Sequence, residues 1–114
     1  MTKKRPSVRR WSWEKTLSEP ALVNSLSDKG YHTVRWSNKP GDKYPVQMHD
    51  FNKVILVIRG SITFRIPRIE EEYILHVGDR LELPAGYAHS AEVGSQGVTC
   101  IEGQDIQEQD GEDA

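Results

Sequence analysis

From Tyr31 onward the pattern changes to short strands broken by Gly and Pro. The segments between these breaks are short and apolar or alternating, and strands are predicted near His32–Trp36, Tyr44–His49, Lys53–Arg59, Ser61–Ile66, Glu72–Val77, Leu81–Leu83, His89–Val93 and Val98–Glu102. Eight short strands in about 70 residues, with no helix between them, exclude a parallel α/β sheet and favour an all-β sandwich or barrel. Gly60, followed by alternating Ile62, Phe64 and Ile66, predicts a tight hairpin. Val54 to Ile58 is apolar on both faces, so that strand needs cover on both sides. The barrel core supplies one cover; an N-terminal helix or a second subunit supplies the other, and the second subunit predicts a homodimer.

One helix is predicted before the strands, over Glu19–Asp28. Ser18 suits its N-cap, Pro20 its first turn, and Gly30 a left-handed stop. Leu22, Val23 and Leu26 then share a stripe. The ends differ in charge. Lys3, Lys4, Arg5, Arg9 and Arg10 make a basic start, and Asp105, Glu108, Asp110, Glu112 and Asp113 an acidic finish. Residues 1–12 are therefore read as a flexible basic arm, 13–103 as the barrel with its helical segment, and 104–114 as an acidic flexible tail. Trp11 and Trp13 are expected to pack on the barrel.

At 114 residues the chain can build a single core. Its net charge of -2 gives no bias toward nucleic acid or anionic membranes, and no aromatic-studded basic face follows the arm. Cys100 is the only cysteine, so no internal disulfide framework exists, and it reads as a buried small hydrophobe. The basic start lacks an apolar core of a secretory signal, and the apolar run Val54–Ile58 is too short to cross a bilayer. A soluble cytoplasmic protein is expected, with a small molecule as partner and neither nucleic acid nor membrane.

The strongest local pattern is Gly78-Asp-Arg-Leu-Glu-Leu-Pro84-Ala-Gly86-Tyr-Ala-His89. A Gly turn feeds a strand with Leu81 and Leu83 on one face, Pro84 ends it, Gly86 permits a tight turn, and His89 opens the next strand. This resembles the second motif of the cupin family, G-x5-P-x-G-x2-H, although Val93 replaces the usual Asn that follows. The first cupin motif, G-x5-H-x-H-x3-E-x6-G, is matched in spacing by Gly41, His49 and Gly60. Gln47 stands at its first histidine and Lys53 at its glutamate. The resemblance implies a double-stranded β-helix, or jelly-roll barrel, with the motif residues inside it.

In cupins the three histidines and the glutamate hold a divalent metal, which makes Gln47, His49 and His89 the candidate ligands for zinc, nickel, manganese or iron, with Lys53 at the fourth position. Gln47 offers an amide oxygen, which suits harder ions better than zinc, nickel or copper. An ammonium about 5 Å from a divalent ion is repelled by about 6–7 kcal/mol at an effective dielectric near 20. To coexist with a metal, Lys53 must pair with a carboxylate such as Asp50, Glu82 or Glu102, turn to solvent, or lose its proton. A metal and a metal-free pocket both stay open. Lys53, Tyr44, Met48 and Tyr87 are expected to line the pocket, while His32 and His76 lie outside both motifs. Three functions follow: a module binding a small polar molecule in the barrel, a metal-dependent oxygenase or isomerase of a small organic substrate, and a non-catalytic interaction barrel.

Overall fold

The computed structural model describes residues 4–106. The residues form β1 (Ser7–Arg9), α1 (Glu19–Asp28), β2 (His32–Asn38), β3 (Lys43–Gln47), β4 (Asn52–Ile66), a short 3-10 turn (Pro67–Ile69), β5 (Glu71–Leu75), β6 (Arg80–Leu83) and β7 (His89–Asp105). Every strand pairing is antiparallel.

The two long strands organise the fold. The first half of β4 pairs with β6 and with the second half of β7, which also pairs with β2. Its second half pairs with β5 and with the first half of β7, which also pairs with β3. The ribbon of β4 and β7 therefore runs through both faces of a jelly roll and bends between them. The register shifts between Val57 and Arg59 and again between Gly60 and Ile62 mark the bend.

This corrects the predicted hairpin at Gly60. Gly60 has a positive φ of 71° but stays within β4, still opposite Val98 of β7. It has no room for a side chain, because a Cβ there would overlap the carbonyl oxygen of Gly97. The glycine lets two strands approach closely at the bend. For the same reason the predicted pairs of short strands at 53–66 and 89–102 are each one continuous strand.

Alternation along β4 sorts its side chains. Ile55 and Val57 enter the main core with Ile62, Phe64, Leu81, Leu83 and Cys100. Val54 and Leu56 face outward with Ile101 and are covered by Leu26, Leu22 and Val23 of α1 and by Tyr31. The helix forms where the sequence placed it, with the Ser18 hydroxyl accepting from the Ala21 N–H at 3.3 Å. The outer face thus has its cover within the chain, and the argument from this strand for a second subunit falls away.

The N-terminal segment departs most from expectation. Residues 1–3 lie outside the described residues, but Ser7–Arg9 add a strand to the free edge of β6, and Pro6 is buried. Arg10 donates to the buried carboxylate of Asp79 at 2.6 Å and to the Ile74 carbonyl at 2.8 Å. Trp11 packs directly on Gly78. A basic arm reads as solvated because charges dominate it; here one arginine satisfies a buried acid, and the backbone completes a sheet edge. At the other end β7 extends to Asp105, two residues past the expected barrel boundary, and the acidic stretch from 107 lies outside the described residues.

Deleting residues 1–10 should accordingly destabilise the domain. Loss of the Asp79 partner and the β6 pairing is expected to cost about 1–3 kcal/mol, a drop of several degrees in thermal midpoint. Deleting residues 1–3 is the control, and equal midpoints for the two truncations would show that β1 contributes nothing.

Candidate functional site

A cavity of about 250 Å³ opens inside the jelly roll. Its apolar wall comes from Trp36, Tyr44, Ile55, Phe64 and Ala91, and its polar wall from Gln47, His49, Lys53, His89 and Glu102. The structure thus gathers Gln47, His49, Lys53 and His89 at one place, from β3, the β3–β4 connection, β4 and the start of β7.

Their environments differ. His89 is buried, at 3% exposure, and its Nδ1 lies 3.0 Å from the carbonyl oxygen of Tyr87. A carbonyl can only accept, so Nδ1 carries the proton and Nε2 keeps its lone pair. His49 is half-buried, with its ring 5.5 Å from that of His89 and 5.0 Å from that of Phe51. Gln47 lies opposite His89 in the β3–β7 register but is exposed, at the rim of the cavity.

Lys53 and Glu102 are both buried, and Lys53 Nζ lies 3.6 Å from Glu102 Oε2. Register explains their meeting. Lys53 is opposite Gln104 and Ile55 opposite Glu102, so Lys53 and Glu102 are diagonal neighbours on the inward face. Glu102 is held further by Trp36 Nε1, which donates to Oε1 at 3.1 Å, and by Gln104 Nε2, which donates to Oε2 at 2.8 Å.

Burial lowers the pKa of both histidines, and the nearby Lys53 ammonium lowers it further; for His89 the bond to Tyr87 partly opposes this. With folded values below 6.5, the unfolded chain binds more protons at mildly acid pH. Stability is therefore expected to fall as pH drops from about 6.5 through the depressed folded values, and a His89→Gln variant should show a shallower fall. Thermal unfolding across that range checks it; an identical slope in the variant would contradict it. Burial also raises the Tyr44 pKa, and the Tyr44 hydroxyl donates to Asn38 Oδ1. Cys100 is buried, with its thiol pushed up to about 12, so it stays protonated and packs as a small hydrophobe.

Two expected pocket residues are elsewhere. Met48 is 63% exposed and does not line the cavity. Tyr87 is buried beside the cavity, with its carbonyl on His89 and its ring 4.8 Å below the Arg68 guanidinium; it lines a neighbouring groove with Lys4 and Asn52. His32 and His76 are exposed.

The residues present do not fit the divalent ion that the resemblance implies. Among the described residues no group of three or more His, Cys, Asp or Glu side chains converges as a metal site. Gln47 is at the rim, and the ammonium of Lys53 takes the carboxylate's place. Glu102, the one buried carboxylate of the cavity, already serves three cationic or N–H donors.

No protein-family model and no curated protein matches the chain by sequence. Among solved structures, an RmlC-like cupin from Shewanella frigidimarina superposes with a TM-score of 0.58 at 19% identity, covering 68% of this chain and 68% of that one. A DUF861 family protein from Thermotoga maritima gives 0.56 at 14% identity over 86% of this chain and 97% of its own. The polyketide cyclase RemF from Streptomyces resistomycificus gives 0.59 at 18% identity over 70% of this chain, which spans 60% of the cyclase. No helix among the described residues is long and apolar enough to cross a membrane. With its motif spacing, its bent β4–β7 ribbon and these neighbours, the chain has the cupin fold.

Proposed function

We propose that the barrel binds a small polar molecule directly, without a metal, through an oxygen atom of that molecule held by Lys53. The observation that carries this is the state of the Lys53 ammonium. It is buried at the cavity wall, and its one charged neighbour, Glu102, lies 3.6 Å from Nζ and can engage only part of its three N–H donors. A buried ammonium with unused donors is costly unless something in the cavity accepts from it. Glu102 balances its charge, so the favoured ligand is neutral or carries a single negative charge.

The cavity of about 250 Å³ is below the usual ~300–1,000 Å³ of drug-sized sites, which favours a compact ligand with a flat apolar part against Trp36 and Phe64. A metal-dependent oxygenase or isomerase is less well supported because the donor set lacks the glutamate and one histidine. An inert interaction barrel leaves both the cavity and its buried charge pair without a role.

The test is an NMR titration with hydroxyacetone and 2-oxobutanoate, following the ring Cε1–H resonances of His49 and His89. Saturable shifts are expected in the native protein and not in Lys53→Met/Glu102→Gln, which removes both charges together. Absence of saturable shifts with both probes overturns the reading.

A further inference from the structure

Simple binding leaves His89 unexplained. Its Nδ1–H is committed to the Tyr87 carbonyl, which fixes the ring and leaves Nε2 as an unprotonated nitrogen on a cavity-lining side chain. The same cavity holds a buried ammonium, Lys53, and a buried carboxylate, Glu102. A fixed neutral base and a preplaced cation within one small, partly apolar space are what removal of a proton next to a carbonyl requires.

The geometry points to a metal-free proton-transfer activity on small 2-oxo or α-hydroxycarbonyl compounds, with His89 as base and Lys53 holding the carbonyl oxygen. This rests on the binding mode proposed above. His89 Nε2 takes the proton from the carbon beside the carbonyl. The C–H electron pair becomes the C=C bond, and the carbonyl π pair moves onto oxygen to give an enolate. The Lys53 ammonium stabilises that oxygen, and Glu102 stabilises the imidazolium that forms. The site's net charge is unchanged through the step. Exchange of the imidazolium proton with solvent, followed by return to the same carbon, gives hydrogen exchange at that carbon. Nothing is oxidised or reduced overall, and no co-reactant is needed.

The charged and titratable groups facing His89 come from each surrounding element: Tyr44 on β3, His49 in the β3–β4 connection, Lys53 on β4 and Glu102 on β7. Tyr44 is committed to Asn38, and His49 is the more exposed of the two histidines. His89 is thus the better placed base.

The experiment incubates the protein in D2O with hydroxyacetone or 2-oxobutanoate and follows the proton signal of the carbon next to the carbonyl by NMR. Exchange faster than in buffer is expected for at least one probe. His89→Gln should lose about 10²-fold or more of the enzymatic rate, and Met48→Ala, outside the cavity, should keep it. Should His89→Gln fail to fold, Lys53→Met/Glu102→Gln, which keeps the base but removes the oxygen anchor, should also lose exchange. Rates equal to buffer with both probes, or an unchanged rate in folded His89→Gln, overturn the inference. Saturable histidine shifts without exchange overturn proton transfer alone, whereas absence of both removes the binding reading as well.

Discussion

Glu102→Gln is expected to cost about 3–5 kcal/mol of folding stability, because it strips the counter-charge from a buried ammonium. Lys53 is 9% exposed and Glu102 7%, so neither has water enough to replace its partner. Lys53→Met should cost less, since Glu102 would still accept from Trp36 and Gln104. Lys53→Met/Glu102→Gln should regain much of the loss, because removing both charges leaves no orphan. Urea unfolding of the four proteins measures the coupling, and a domain of ordinary stability, about 5–15 kcal/mol, makes the effect easy to resolve. Strictly additive costs would show that the two charges do not depend on each other.

Gly60→Ala should be comparably severe for a different reason. The residue has a φ of +71°, and a methyl group would overlap the Gly97 carbonyl oxygen, which is backbone and cannot turn aside. Positive-φ strain and overpacking together are expected to cost about 3 kcal/mol or more. Gly41→Ala provides the comparison: its φ is +77°, but a Cβ there meets nothing within 4 Å, so only the backbone strain of about 1 kcal/mol remains. Equal thermal midpoints for the two variants would show that the bend of β4 and β7 is looser than described.

The motif glycines and histidines were legible in sequence because their spacing is short-range: Gly78 to His89 is a turn, a strand and a turn. The strand breaks at Gly60 and Gly94–Gly97 were misread because glycine marks a hairpin and a close strand crossing alike, and only the partner strand tells them apart. Glu102 was one of three carboxylates open to Lys53. Choosing it requires the β4–β7 register, which local pattern does not contain. β1 was hidden for a related reason. Val8 is the lone apolar residue of Ser7–Arg9, and its place was set by the free edge of β6 rather than by its own sequence.

Lys53 and Glu102 stand paired in the cavity where the cupin motif would hold a metal. The most direct measurement is elemental analysis of untagged protein after dialysis against zinc, nickel, manganese and iron and removal of free ions. No stoichiometric metal is expected in the native protein, and none in His49→Ala or His89→Ala. One ion per native chain, lost in either histidine variant, would contradict it.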